Sequence, residues 1–469
     1  MPDAVTKTRS NAVSTTNACK LCTPLGAALA FKGVERGVPF LHGSQGCATY
    51  MRRYVISHYR EPVDIASSAL GEKHAVYGGG PNLKQGILNV MKKYDPALVG
   101  VATTCLTETI GDDVPMILNE FEAEFGAGGE VGLDLPALVR VSTPSYSGTH
   151  TDGFHAAVLA MAEQLATDKA PPYGAVNLFP GMLSCADIRH LKDLVAAFGL
   201  AATVLPDYSE TLDGPALEDY ERIPSGGTPV AAIRAMGGAA ASLELGRCLS
   251  PKTAGTSLRD RFGVPLFSTG MPTGLREMDR FLDALGEISG RPVPRQLEAE
   301  RGRLVDAYVD GHKYVFGKRA VVYGEEDLVA GLVSMLAETG VHVVLAATGF
   351  VTRKGERGLA EAVARATDGL AAHDRAGPPE VAEGVDFHDI AERARELEPD
   401  LLVGHSKGYR YARDWDVPLV RVGFPIHDRF GGQRILHVGY AGTQALYDRI
   451  VNAILERNQA GSHVGYGYL

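Results

Sequence analysis

Short apolar runs alternate with stretches of helical periodicity along most of this chain. Apolar residues recur at helical spacing in residues 187–198 and 327–339, which predicts an amphipathic helix in each. The short apolar runs are predicted to be buried strands; they are residues 97–103, 174–180, 202–206, 319–323, 341–346, 401–404 and 418–423. Repeated strand–helix units of this kind predict an α/β fold with parallel β-sheets flanked by helices.

The chain has 469 residues, which is too long for one domain. Stretches rich in Pro, Gly and charge at 167–173 and 289–303 are typical of crossings between domains. We therefore predict three α/β domains at 19–165, 166–295 and 296–469. Residues 1–18 are polar and rich in Ser, Thr and Asn, and they predict an N-terminal arm that is mobile or bound to a partner.

Composition excludes several classes of partner. The net charge is −10 and no long basic run occurs, which argues against nucleic acid and anionic membranes. No stretch approaches the ~18 uninterrupted apolar residues of a membrane span, and the N-terminus lacks the apolar core of a signal peptide. A cytoplasmic location is expected. Six cysteines in a chain of this length do not form a disulfide framework.

Three of the cysteines lie in Gly- or Thr-rich turns. Cys22 lies in Cys-Lys-Leu-Cys-Thr-Pro-Leu-Gly, Cys47 in His-Gly-Ser-Gln-Gly-Cys, and Cys105 in Thr-Thr-Cys-Leu-Thr-Glu-Thr. Each motif alone is weak, but thiolates spread over one domain at backbone turns are what an iron–sulfur cluster needs. Cys105 also follows a predicted strand, where open α/β sheets place their ligands. The three together predict a cluster site.

Other candidate residues carry competing interpretations. Cys19 and Cys22 form Cys-x-x-Cys, which would also suit a zinc half-site or a redox pair, but no second pair follows at zinc spacing. Ser145 in Thr-Pro-Ser is either an oxygen ligand or part of a turn. His42 either supports the cluster by hydrogen bonding or fills the core. Cys185 and Cys248 are predicted core residues, and Gly-Gly-Gly-Pro at 78–81 lacks the Lys-Ser/Thr of a phosphate loop.

With these motifs the chain resembles the β, or K-type, subunit of nitrogenase component 1 and its nitrogenase-like relatives. The similarity runs from Cys22 to Asp113 and extends to Gly-His-Ser-Lys-Gly at 404–408, Arg-Val-Gly-Phe-Pro-Ile-His-Asp-Arg at 421–429 and Gly-Tyr-Ala-Gly-Thr at 439–443. It implies three Rossmann-like domains and pairing with a D-type (α) subunit in an α2β2 heterotetramer. It also implies an 8Fe-7S P-cluster, shared with that partner, which relays electrons from an ATP-dependent iron protein to a cofactor in the D-type subunit.

The resemblance assigns roles to individual residues. Cys22, Cys47 and Cys105 match the β-side cluster cysteines, and Ser145 matches a serine that can ligate the oxidised cluster. Tyr50 matches a tyrosine near the cluster. The resemblance implies a divalent metal site between two β subunits at Arg60, Glu61, Asp306 and Asp310, and the carboxylate oxygens among these residues suit a hard cation. Solvated surface acids are the competing interpretation.

The branch within the family is predicted from the N-terminal region. Only 21 residues precede Cys22, which favours vanadium-type, iron-only or nitrogenase-like chains over the molybdenum enzyme. The string from Cys19 to Gly33 most resembles nitrogenase-like methylthio-alkane reductases, which cleave C–S bonds. A vanadium- or iron-type dinitrogenase β subunit is the alternative. An N-type scaffold for cofactor assembly is the third, although such scaffolds usually lack cysteines equivalent to Cys22 and Cys105.

Overall fold

The computed structural model describes residues 19–167, 173–219, 221–353, 355–369 and 377–463. The predicted N-terminal arm, residues 1–18, lies outside the described residues. No helix in the described ranges is long and apolar enough to span a membrane.

The described strands form three separate parallel sheets, as the sequence predicts. The first has the order β2-β1-β3-β4, the second β6-β5-β7-β8 and the third β11-β10-β9-β12-β13. The strands are β1 Gly37–His42, β2 Ala66–Ser67, β3 Leu98–Thr103, β4 Ala137–Val141, β5 Tyr173–Phe179, β6 Ala201–Val204, β7 Ala239–Leu245, β8 Leu266–Thr269, β9 Arg319–Tyr323, β10 His342–Thr348, β11 Glu380–Glu383, β12 Leu401–Gly404 and β13 Leu419–Arg421.

Helices connect and cover these strands. They are α1 Thr23–Lys32, α2 Gln45–Tyr59, α3 His74–Tyr77, α4 Gly80–Tyr94, α5 Cys105–Ile110, α6 Val114–Phe125, α7 His150–Leu165, α8 Cys185–Ala197, α9 Val230–Ala235, α10 Ala254–Phe262, α11 Gly274–Ser289, α12 Arg295–Val315, α13 Glu326–Glu338, α14 Leu359–Thr367, α15 Phe387–Leu397, α16 Tyr409–Asp414 and α17 Gly439–Ala460. The helices predicted at 187–198 and 327–339 are confirmed as α8 and α13. The three sheets fall one in each predicted domain, while the boundaries near 165 and 295 stay predictions.

The topology of the first sheet decides where its connecting turns meet. β1 and β3 are neighbours in register, with His42 opposite Thr103, and β4 lies on the other side of β3. Parallel strands end at the same edge of a sheet, so the turns that follow β1, β3 and β4 lie side by side. These turns carry Cys47, Cys105 and Ser145.

The helix α1 brings the third sulfur-bearing turn, that of Cys22, to this edge. Every residue of α1 is buried, and the helix crosses α7 at very short range. A Cβ on Gly26 would lie 1.6 Å from the carbonyl oxygen of His150, and one on Gly153 would lie 1.9 Å from that of Thr23. Only glycine permits this approach, which fixes the start of α1, and therefore Cys22, against the first sheet.

Candidate metal centre

Each of the three predicted cluster cysteines lies at the beginning of a helix. Cys22 is the N-cap of α1, Cys47 lies in the first turn of α2, and Cys105 is the first residue of α5. All three are partly exposed free thiols. Backbone N–H groups at a helix start carry partial positive charge, so this placement offsets part of the negative charge of a metal-bound thiolate.

The three sulfurs lie within electrostatic reach of one another. Burial raises the pKa of the Cys22 thiol; a hydrogen bond with Ser145 opposes this rise, whereas negative charge on Cys105 and on Cys47 adds to it. Three thiolates in one place repel each other unless a cation lies among them. The site is therefore suited to positive metal ions.

Ser145 links the turn of Cys22 to the turn of Cys105. Its hydroxyl oxygen accepts a hydrogen bond from the Thr23 N–H (3.2 Å), and its own N–H donates to Cys105 Sγ (3.3 Å). The Thr23 hydroxyl donates to the carbonyl of Pro144 (3.4 Å). These contacts place the hydroxyl between two of the sulfur-bearing turns, while its service as a metal ligand stays a prediction.

The turns of Cys47 and Cys105 pack directly on one another. A Cβ on Gly43 would lie 2.1 Å from Thr104 Oγ1, so this contact requires glycine. The carbonyl of His42 accepts hydrogen bonds from the Thr104 N–H (3.1 Å) and the Thr107 hydroxyl (2.9 Å). His42 thus supports both turns through its backbone.

The His42 ring is buried under these turns and is fully engaged. Its Nδ1 lies 2.9 Å from Ser68 Oγ and its Nε2 lies 3.0 Å from Asp112 Oδ2. Burial lowers the pKa of His42, and the charge of Asp112 opposes that shift. The same Asp112 carboxylate accepts the Gly79 N–H (3.0 Å), so this amide of the Gly-Gly-Gly-Pro turn already has a partner.

Tyr50 lies on the exposed side of the candidate site. It is 44% exposed, and its ring centroid is 4.8 Å from that of Tyr54. Burial raises the pKa of the Tyr50 phenol, followed by its hydrogen bond with Tyr54 and the charges of Tyr54 and Cys22. Tyr50 is therefore close enough to sense charge at Cys22.

The arrangement fits a polynuclear cluster better than a single ion. Within the described ranges, no group of three or more His, Cys, Asp or Glu side chains is placed to hold one metal ion. Cys22, Cys47 and Cys105 would hold iron atoms of an inorganic cluster as thiolates, and such a cluster would supply electron transfer.

The Cys-x-x-Cys pair is divided between two regions, so a zinc half-site or redox pair is not formed. Cys19 is buried in the core of the third sheet, and its Sγ lies 3.5 Å from Nε2 of His405. Burial raises the pKa of Cys19 to about 12. Cys22 instead belongs with Cys47 and Cys105.

Cys185 and Cys248 are confirmed as core residues. Their exposed fractions are 0% and 4%, and burial raises the pKa of both thiols. Cys185 Sγ lies 3.6 Å from the Tyr208 carbonyl. Cys248 lines a cavity of about 430 Å³ between α7 and the second sheet. Neither thiol belongs to the candidate centre.

The four residues predicted to hold a divalent ion lie in two separate elements. Arg60 ends α2 in the left-handed conformation (φ 63°) and donates to the His427 carbonyl (3.3 Å), with Glu61 beside it. Asp306 and Asp310 are exposed and one turn apart on α12. Within the described chain no hydrogen bond or ion pair joins the two groups. A shared ion at a contact between two copies stays a prediction.

Sequence reasoning missed three buried groups behind the cysteines: His150, Glu325 and His405. His150 Nδ1 accepts the Leu21 N–H (3.2 Å), and its Nε2 lies 3.4 Å from Glu325 Oε1. These contacts join residues more than 100 positions apart. The only local signal was the capping box of α7, formed by Thr149 and Asp152 beside His150.

Comparison with known proteins places the chain among oxidoreductases. A family model described as nitrogenase component 1 type oxidoreductase matches residues 22–455. The chain is 34% identical over 441 residues to the nitrogenase molybdenum-iron protein beta chain of Clostridium pasteurianum, covering 94% of this chain and 93% of that one. It is also 34% identical to the nitrogenase vanadium-iron protein beta chain of Trichormus variabilis, covering 92% of each.

Solved structures show similarity to the same family. The structure titled "Nitrogenase Cp1 at pH 6.5" superposes with a TM-score of 0.90 at 31% identity, covering 99% of this chain and 98% of the other. A second chain, from "Nitrogenase Cp1 at pH 5", has a TM-score of 0.69 at 17% identity and shares the fold.

Proposed function

The chain belongs to the nitrogenase component 1 type oxidoreductases as a β-type subunit, and we propose that it holds half of a P-cluster-type iron–sulfur cluster. The observation that carries this proposal is the meeting of Cys22, Cys47 and Cys105, each at a helix start, beside the Ser145 hydroxyl. A bound cluster would accept electrons from an ATP-dependent iron protein and pass them to a cofactor in the D-type subunit.

Each residue has a defined task in this proposal. Cys22, Cys47 and Cys105 bind iron as thiolates, and the helix starts beneath them offset part of the negative charge. Ser145 holds the Cys22 and Cys105 turns together and offers an oxygen near the sulfurs. Buried His42 supports the Cys47 and Cys105 turns from below.

The proposed cluster is completed by a partner. All three thiols remain partly exposed on one face of the chain, and an iron–sulfur cluster of this size needs more sulfur ligands than three. We therefore infer that a D-type subunit supplies the remaining ligands across an interface, within an α2β2 heterotetramer. Arg60, Glu61, Asp306 and Asp310 are proposed to lie where two β subunits meet, with a divalent cation between them.

For the substrate we propose methylthio-alkanes, on the resemblance of the string from Cys19 to Gly33 to methylthio-alkane reductases. The net reaction with ethyl methyl sulfide would break one C–S bond. Two electrons from the iron protein and two protons from water would yield methanethiol and ethane.

Dinitrogen reduction is the second candidate, and the printed names of the molybdenum-iron and vanadium-iron beta chains favour it. A scaffold for cofactor assembly is less well supported, because cysteines at positions 22 and 105 are both present.

The test requires the intact complex, purified without oxygen together with its D-type partner and iron protein. We expect Cys47→Ala to lose cluster iron and electron transfer, while the matched Cys185→Ala variant keeps both. Full iron content in Cys47→Ala would refute the cluster assignment. With ATP, thiol release from ethyl methyl sulfide supports the proposed substrate, whereas ammonia from dinitrogen without thiol release favours the second candidate.

A further inference from the structure

Residues 19–22 have no regular structure and lead into Thr23, the first residue of α1; residues 19–23 are called here the cysteine strap. It is held at three points: Cys19 Sγ lies 3.5 Å from His405 Nε2, the Leu21 N–H donates to His150 Nδ1 (3.2 Å), and the Thr23 N–H donates to Ser145 Oγ (3.2 Å). Two of these contacts flank Cys22 directly. The strap is therefore fixed by side chains rather than by a helix or sheet ladder.

The contact at Leu21 fixes the tautomer of His150. Because Nδ1 accepts the Leu21 N–H, it carries no proton in the neutral ring, and the proton lies on Nε2. Nε2 then donates to Glu325 Oε1 at 3.4 Å. His150 and Glu325 are 4% and 7% exposed, so water does not compete strongly for either contact.

Glu325 is itself held by the third domain. It is the N-cap of α13, and its carboxylate accepts the Phe424 N–H (3.3 Å). Burial raises the pKa of Glu325, but the hydrogen bond from His150 opposes this rise, and the net shift is downward. The carboxylate thus remains charged and orients the His150 ring toward Leu21.

We propose that His150, oriented by Glu325, is a positioning residue that fixes the Leu21 amide and thereby aims Cys22 Sγ at the cluster. The proposal rests on the proposed function, since it assigns Cys22 as a ligand. His150 does not touch the cluster residues itself. It acts through one backbone hydrogen bond adjacent to Cys22, and it ties that bond to an element of the third sheet.

The loss of side-chain volume would be a simpler explanation for a defect in a His150 variant. The variants must therefore distinguish lost volume from a lost hydrogen bond. In His150→Asn the amide oxygen takes the place of Nδ1 and can accept the Leu21 N–H. In His150→Gln the longer side chain places its polar end near Nε2 and leaves that N–H unpaired. His155→Ala is the matched control, because it removes a ring from the same helix α7 and has no hydrogen bond to the strap in the described chain.

The experiment uses the purified complex and three readouts. Hydrogen exchange of the peptide containing Leu21 should accelerate about tenfold in His150→Ala and His150→Gln, because each variant loses the hydrogen bond to the Leu21 N–H. Iron content should fall, and the midpoint potential of the remaining cluster should shift in the same two variants. His150→Asn and the control His155→Ala should both show the wild-type exchange rate, iron content and midpoint potential.

Two results overturn the proposal: equal behaviour of the Asn and Gln variants, or a His150→Ala complex that matches His155→Ala in exchange, iron and potential. Failure of the proposed function is distinguishable, because the wild-type complex would then carry no cluster iron. Exchange at Leu21 in that iron-free complex would still report whether His150 holds the strap.

Discussion

Replacing Gly26 by alanine is the sharpest test of how α1 positions Cys22. The new Cβ would lie 1.6 Å from the His150 carbonyl oxygen and 2.8 Å from the Phe154 nitrogen, both backbone atoms of α7. Real Cβ contacts are not shorter than 3.0 Å, so α1 and α7 must separate by about 1.4 Å. Neither helix can yield by rotating a side chain, because the obstructing atoms are main chain.

The magnitude follows from two opposing terms. Overpacking of a buried contact costs up to about 3 kcal/mol, and alanine recovers about 1 kcal/mol over glycine in a helix interior. The net loss is about 2 kcal/mol, which lowers the melting temperature of a domain of this size by about 4–8 °C. Metal sites tolerate ligand displacements of only about 0.2 Å, so Gly26→Ala should also lose cluster iron.

The matched control is Gly302→Ala in α12. This glycine is exposed, has ordinary helical backbone angles, and has no atom within 4 Å of its would-be Cβ. Its replacement should raise stability by up to about 1 kcal/mol. Thermal denaturation followed by circular dichroism, with iron analysis of the same anaerobic samples, compares the two. Equal melting temperatures and iron contents would refute the role assigned to the α1–α7 crossing.

Three further predictions address the site, the pH response and the assembly. Ser145→Ala should keep cluster iron but change the electron paramagnetic resonance of the oxidised complex, whereas Ser147→Ala, on the same loop, should leave that spectrum unchanged. Burial lowers the pKa of His58 to about 3, whereas the unfolded residue titrates near 6.5. The contribution of His58 to the free energy of unfolding is therefore fully present above pH 6.5 and is about 2 kcal/mol smaller at pH 5. Melting curves of His58→Asn should lack this part of the pH-dependent loss of stability. Asp306→Asn with Asp310→Asn should convert α2β2 into αβ pairs in native mass spectrometry, and an unchanged tetramer would contradict the predicted shared cation.

The sequence pattern predicted the elements well because local periodicity reports which face of each element is buried. The run at 319–346 has a strand, a helix with an apolar stripe and another strand in immediate succession, and the structure has β9, α13 and β10 there. The cysteine turns were also visible, since glycine and threonine mark tight turns in any fold.

The support behind the cysteines could not be predicted in the same way. His405 meets Cys19 across 386 positions, and Glu325 meets His150 across 175. Neither contact leaves a periodic or spacing signal, because each depends on how separate sheets pack. Gly26 and Gly153 gave no signal either, because the sequence does not distinguish a glycine that a helix contact requires from one that a turn requires.

The topology supports the proposal that this chain supplies part of a cluster site and that a partner supplies the remaining ligands. Parallel strands deliver the turns of Cys47, Cys105 and Ser145 to one sheet edge, and α1 brings Cys22 to the same place. The inner side of that edge is already filled by buried, hydrogen-bonded groups such as His42. Further ligands can only approach from the outer side, where the thiols remain partly exposed. We therefore expect the proposed D-type partner to present its sulfur ligands to this exposed side.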